Sequence, residues 1–528
     1  MHDPTATKSP SPLLMIGLDA AEVTLIDRWM NEGLLPNLAA LRERGVQMSL
    51  QSTARWLVGA PWPTFYCSNT AGQFGMYHYL VWRPDRMTAE RPAPDWMPLD
   101  PFWRDLPGHG RKVIAVDVPL CYAPPDYGGV EISGWATHEL LQDPGSSPRT
   151  LLDEVRRTFG RAPFDEESAH RLSVREFLHV RDQCVETAHR VGELGATLMQ
   201  RHPWDLALIC FSSTHRGGHL LWDRTILKEA PTNAQADEVD QALRDVYVAC
   251  DRAVGRLVQA AGERAQVMVF SLHGMRANTD RTSVLPEMLA RVLRDAPAGA
   301  TSATDAATAA APATSRRITD RLRAIVPAEW RARVKKRLPQ RLQDALTLYW
   351  RSARLDWSRT PAFIAFCDLD GYIRINLRGR ERDGIVAPGD YTALREWIAD
   401  GLRTFRDGDS GEPLVSEIGY VEDIAPRGPM RTHLPDMIVR WQPSSAASHR
   451  SIVSARYGAI DWPTPGMHPL GRSGNHDRTG FLIAAGTAFA HDLREQAHIM
   501  DLAPTALDIL GIPAPPSFLG KSIASAMP

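Results

Sequence analysis

Apolar positions recur along this chain in short dense runs separated by longer periodic stretches. The first run is Leu13-Leu14-Met15-Ile16-Gly17-Leu18, closed by Asp19. A continuous apolar run this short, bounded by Pro12 and a polar turn, predicts a strand buried on both faces. Residues 112–119 (KVIAVDVP), 205–212 (DLALICFS) and 266–271 (QVMVFS) have the same form. Between them the period lengthens. Residues 22–30 and 35–45 read as amphipathic helices, the second with Pro36 in its first turn, where proline is tolerated. Residues 150–201 are largely helical with a charged face, and 237–261 repeats every 3.6 residues as one long helix. Residues 51–79 are loop-rich. Residues 372–377 (YIRINL) alternate as a half-exposed strand, 437–441 and 481–485 are further strands, and 501–510 is a helix stopped at Gly511-Ile512-Pro513. Strands alternating with helices of this length predict βαβ units and a mostly parallel sheet.

The chain has 528 residues, enough for one large α/β domain with insertions or for two domains. Residues 1–12 read as a disordered tail rather than a signal peptide, lacking a basic start and an apolar core. Residues 297–315 are Ala/Thr-rich and read as a flexible linker. They lead into 316–342, where ten basic residues interleave with Ile318, Leu322, Ile325 and Val326. Two readings stand for this stretch: an inserted helical hairpin with a solvated basic face, or a basic amphipathic helix touching an anionic membrane or a protein partner. The expected domain therefore covers 13–296 and 346–528, with 297–345 as insertion. A net charge of −2 gives no electrostatic case for nucleic acid. Six scattered cysteines without paired spacing read as reduced thiols of a cytoplasmic protein. No run reaches the roughly 18 apolar residues of a membrane helix.

Chemistry gathers at the ends of the apolar runs. Asp19 either caps the helix beginning near Glu22 or stands as a ligand at the carboxyl edge of a parallel strand, where open sheets bind ligands. After the third run come His215-Arg216-Gly217-Gly218-His219, after the fourth His273-Gly274, and just before 481 Asn475-His476-Asp477. Neutral imidazole and carboxylate are zinc ligand types. A His-x3-His pair in a glycine-containing loop can close round one ion. Singly, each histidine is more often a satisfied polar residue than a ligand; together, at strand ends, they read as a metal centre. His170, His179 and His189 fall on helical stretches as surface or packing residues.

The stretches GLDAAEVTLIDRWMNEGLLPNLAALRERG (17–45), GAPWPTFYCSNTAGQFGMY (59–77), ISGWATHE (132–139), FSSTHRGGHLLW (211–222), FSLHGM (270–275), GYIRINLRGRE (371–381), LPDMIVRW (434–441), GNHDRTGFLIAAG (474–486) and DLAPTALDILGIPAP (501–515) run nearly end to end. Together they resemble the alkaline phosphatase superfamily, in its type I phosphodiesterase and nucleotide pyrophosphatase branch. The resemblance implies a three-layer α/β/α sandwich with two metal ions about 4 Å apart. Carried over by residue, it implies a first metal site of His215, His219 and His476. A second site would use Asp19, Leu272 and His273, with Val58 at the nucleophile's position and Phe74 at that of a common His. Leu272 donates nothing, and Val58 has no nucleophilic oxygen. One zinc ion is therefore expected, with Asp19 and His273 as a degraded second site. The function expected is that of a metal-dependent hydrolase or transferase acting on a phosphodiester, phosphomonoester or related small anionic ester. It would work through a zinc-bound hydroxide, with Asp19 or His273 as general base and Arg216 countering substrate charge. Thr64, or Thr53 or Ser52, is the fallback nucleophile. The alternative is an inactive relative that binds an anionic ligand or a partner.

Overall fold

Leu13–Leu18 lies in the middle of a nine-stranded sheet, paired in parallel with Leu206–Phe211 on one side and Gln266–Ser271 on the other. The computed structural model describes residues 11–138, 140–141, 143–162, 171–296, 355–365, 369–463, 465–466, 468, 471–489 and 496–524. All three central strands are buried at every position. Their alternating side chains feed two apolar cores. Leu13 and Met15 join one cluster, Leu14, Ile16 and Leu18 the other. On the second face the long helices Val174–Arg201 and Asn233–Ala261 supply Val191, Leu194, Val246 and Val254. On the first face Pro61–Cys67 and Leu502–Ile509 supply Trp62, Phe65, Leu502 and Ile509. The result is the expected α/β/α sandwich.

Beyond Leu206–Phe211 the sheet continues in parallel through Val113–Val116 and Val130–Ser133. On the other side Thr479–Ala485 runs antiparallel to Gln266–Ser271. The carboxyl ends of the five parallel strands therefore meet the start of Thr479–Ala485 at one edge. A second, four-stranded antiparallel sheet (Ala362–Ile364, Gly371–Ile375, Met437–Trp441, Val415–Tyr420) packs with Leu285–Arg294 and Tyr391–Arg403 round a third cluster.

Several sequence expectations change. The helix expected over 35–45 ends at Glu43, and Gly45–Gln51 is a strand whose Val46, Met48 and Leu50 alternate inward. The loop expected over 51–79 contains the helix Pro61–Cys67, buried at all seven positions, and the turn Ala71–Phe74. Pro61 sits at the first helical position, where its missing N–H costs nothing. The strand expected to be half-exposed is buried throughout Gly371–Ile375. Its alternation separates two cores rather than core from water, since Tyr372 joins the first cluster and Ile373 and Ile375 the third. Between them Arg374 is sealed in by an ion pair with Glu381. Cys67, Cys121, Cys184, Cys210 and Cys250 are free and buried. Among the described residues no helix is long and apolar enough to cross a membrane. Residues 1–10, the whole of the expected linker and basic insertion 297–345, His170 and Cys367 lie outside the described residues.

Candidate metal centre

Asp19 follows directly on Leu13–Leu18 and is 1 % exposed. It is not a helix cap. Glu22 takes that role for Val23–Asn31, its carboxylate accepting from the Thr24 N–H at 3.1 Å and from the Met275 N–H at 3.1 Å. Asp19 instead accepts from the Trp62 indole N–H at 2.8 Å. Gly17 makes this approach possible, because a Cβ there would stand 2.8 Å from the Trp62 ring. Burial pushes the Asp19 carboxyl up to about 7, against the lowering effect of the Trp62 and Ala20 N–H groups.

His215 and His219 lie on the helix Ser213–Leu220, not in the loop expected. The spacing of four puts both rings on one helix face. His219 Nδ1 bonds the Gly474 carbonyl at 2.9 Å, which places the proton on Nδ1 and the lone pair on Nε2. His476 comes from a short strand, Gly474–Asp477, that pairs antiparallel with Gly274–Ala277. This ribbon lies tight against the helix. A Cβ on Gly474 would meet the Gly218 carbonyl at 1.9 Å, and one on Gly218 would meet Met275. His476 Nε2 and His215 Nε2 face each other at 2.8 Å. The ring centroids of His215 and His219, and of His219 and His476, are 4.5 and 4.9 Å apart. Burial first, and then the neighbouring imidazoles, hold His215 and His476 well below the usual histidine range. His273 is pushed down to about 3 by burial and by His138 and His219. Neutral imidazoles with buried lone pairs are the form that binds metal.

Among the described residues two sets of side chains bring ligand atoms within 4.8 Å of one another: His215, His219 and His476, and Asp19, His138 and His215. The first contains the three histidines expected from sequence. The second joins Asp19 to His138 and His215. The His273 ring is 4.5 Å from that of His476, but it belongs to neither set. His138, which sequence reasoning passed over, stands at Asp19 instead, its Nε2 3.6 Å from Oδ2. The reason is the loop after Val130–Ser133. Asp117 accepts from the Trp135 and Ala136 N–H groups at 2.8 and 2.7 Å, and Ser212 Oγ donates to the Ala136 carbonyl. Asp117 is fully buried, and burial pushes its carboxyl up to about 7. A signal existed for it: like Asp19, it is a carboxylate ending an apolar run.

Leu272 is fully buried in the first apolar cluster. Val58 packs against that cluster, and its N–H donates to the Tyr372 hydroxyl at 3.1 Å. Phe74 is likewise buried. Thr64 is 0 % exposed and leaves its helix about 200° round from Trp62, so the helix turns it away from the face presented to Asp19. Arg216 leaves its helix about 100° round from His215 and is 8 % exposed.

The Asp19 shift has a signed consequence. Above the unfolded carboxyl value of about 4, the folded metal-free protein keeps a proton that the unfolded chain has lost, so stability falls as pH rises toward about 7. Asp19→Asn keeps the acceptor for Trp62 and removes the ionisation. In the presence of chelator this variant is expected to melt above wild type, by more at about pH 8 than at about pH 5. A gap that does not change with pH would refute the assignment.

The family model for type I phosphodiesterase / nucleotide pyrophosphatase matches residues 13–390. Phosphonoacetate hydrolase from Sinorhizobium meliloti 1021, solved with phosphonoacetate, is similar in structure with a TM-score of 0.50 at 12 % identity, over 95 % of this chain and 96 % of that one. Murine ectonucleotide pyrophosphatase/phosphodiesterase 5, an inactive variant in complex with AMP, gives 0.47 at 11 % identity over 98 % and 97 %. A mutant of the alkaline phosphatase PafA gives 0.47 at 11 % identity over 98 % and 99 %. No curated protein matches the sequence. The family match covers well over half of the chain, and the protein belongs to the type I phosphodiesterase / nucleotide pyrophosphatase family.

Proposed function

We propose that this protein is a metal-dependent hydrolase of phosphodiesters, phosphomonoesters or related small anionic esters, working without a covalent threonine intermediate. The observation that carries the reading is the buried cluster His215, His219 and His476, with its facing Nε2 atoms and neutral rings. Three imidazoles are a donor set that suits zinc in a catalytic site, since a fourth position stays open. Bound there, zinc would lower the pKa of a coordinated water toward 7 and polarise a phosphoryl oxygen. The chain's own groups do the rest. Gly474 holds the His219 tautomer through its carbonyl. Asp19, buried at the strand end, is the carboxylate that would take or return a proton. Arg216, on the same helix, supplies positive charge for an anionic substrate. Family membership supports phosphoester chemistry. Val58 and Leu272, without donor atoms, argue against the two-step route through a phosphorylated side chain.

The same two residues favour a second reading, an inactive relative that binds an anionic ligand. A zinc-loaded sample assayed with bis-p-nitrophenyl phosphate and p-nitrophenyl phosphate separates the two. Turnover that disappears with chelator and in His219→Ala is the expected result. A metal-bearing protein with no turnover on either ester, yet protected from thermal unfolding by inorganic phosphate, would establish the binder instead.

A further inference from the structure

His219 has its ring fixed by a hydrogen bond from Nδ1 to the Gly474 carbonyl at 2.9 Å. His215 has no such anchor, since its Nδ1 is buried with no hydrogen-bond partner among the described residues. A metal-binding histidine ordinarily sets its ring by donating its second N–H, so this ring needs another restraint. We propose that His138 is a positioning residue of the metal centre, its imidazole laid flat on the His215 ring so that His215 Nε2 stays turned toward His476. This rests on the three-histidine reading above and deepens it.

The two rings are stacked, with centroids 3.7 Å apart and planes at 16°. An imidazole lone pair lies in the plane of its ring, so two rings stacked in this way do not aim at one ion; His138 acts through its face. The side-chain torsion that turns a histidine ring has broad wells and holds no orientation by itself. Turning the His215 ring about that bond would drive its edge into the face of His138. The stack therefore keeps His215 Nε2 where it stands, 2.8 Å from His476 Nε2. A donor ordered before the ion arrives loses less freedom when it binds.

His138 is in turn held from three strand ends. Asp19, after Leu13–Leu18, places Oδ2 3.6 Å from His138 Nε2, while the Trp62 N–H fixes the other carboxylate oxygen at 2.8 Å. Asp117, after Val113–Val116, takes the Trp135 and Ala136 N–H groups at 2.8 and 2.7 Å. Ser212, after Leu206–Phe211, donates to the Ala136 carbonyl. A loop tied at these points delivers the ring more reproducibly than an untied one would.

The test measures zinc affinity of the full chain, by competition with a chromophoric chelator, for wild type, His138→Ala and His138→Phe. Phenylalanine restores a flat ring and carries no nitrogen, and the His138 side chain is 21 % exposed, which leaves room at its outer edge. Zinc content at saturation is expected to be the same in all three proteins, since His138 is not a ligand. His138→Ala is expected to bind zinc about tenfold more weakly than wild type, the size of effect typical of a lost orienting partner. His138→Phe is expected to bind nearly as wild type does. Circular dichroism checks folding, and His138→Leu, which fills the space without a flat face, is read in place of the alanine variant if that one does not fold. His138→Ala binding as tightly as wild type overturns the proposal. So does His138→Phe binding as weakly as His138→Ala, because a nitrogen of His138 and not its face would then be what matters. Both results leave the three-histidine reading intact. Wild type that binds no zinc overturns that reading and the positioning role with it.

Discussion

Replacing His219 with alanine is expected to remove about one zinc equivalent per chain and to lower the melting temperature of the zinc-loaded protein by several degrees. His219 is 0 % exposed and its tautomer is set by the Gly474 carbonyl, so the lost lone pair has no substitute nearby on the helix. Two remaining imidazoles seldom hold zinc against water and buffer. A ligand bound only by the folded state stabilises it by RT ln(1 + [L]/Kd), about 2.7 kcal/mol when the free ion is a hundredfold above Kd. Wild type treated with chelator should approach the variant's melting temperature. His179→Ala, on the exposed side of Val174–Arg201, should leave metal content unchanged. His273→Ala should change it far less than His219→Ala. If His273→Ala strips the metal just as completely, the ion lies between His476 and His273, and the three-histidine assignment fails.

Glu381→Ala is expected to be strongly destabilising, costing about 3–5 kcal/mol because it breaks a buried ion pair by removing one partner. The Arg374 and Glu381 side chains are both 0 % exposed. Glu381 also accepts from the Trp82 indole at 2.8 Å and from Arg380 at 3.0 Å. Arg374 has other partners, the Leu434 and Thr432 carbonyls, but none of them carries a full negative charge. Removing the carboxylate takes away the anion Arg374 touches directly and leaves Asp436, already paired with Arg380, to balance both guanidiniums. Glu381→Gln, which keeps one acceptor oxygen, should lose less. Replacing both partners by apolar residues of similar volume should recover much of the loss, since the cost lies in the orphaned charge rather than in the pair. Urea unfolding measures each variant. A Glu381→Ala midpoint equal to wild type at unchanged slope would show that the pair contributes nothing.

The central sheet was legible from residue type alone. Runs such as 13–18, 205–212 and 266–271 are apolar without interruption, and only a strand buried on both faces needs that pattern. The carboxyl-edge residues Asp19, His215, His219 and His273 followed from the same runs. His476 was legible only as a residue before a strand; the ribbon with Gly274–Ala277 that presents it depends on a pairing across about 200 residues. Local pattern failed wherever burial came from another lobe. Gly371–Ile375 alternates as a half-exposed strand does, yet both its faces meet apolar cores. Pro61–Cys67 looks like loop by composition and becomes a helix because the sheet covers it. His138 shows why the neighbourhood of Asp19 could not be completed from sequence. It stands 119 positions after Asp19 in a stretch without periodicity, and it arrives there only because Asp117 and Ser212, at the ends of two other strands, hold its loop. Short-range periodicity sets which face of an element is apolar. Which donor atoms share a few ångströms is decided by the order of strands in the sheet, and that order is a property of the packed chain.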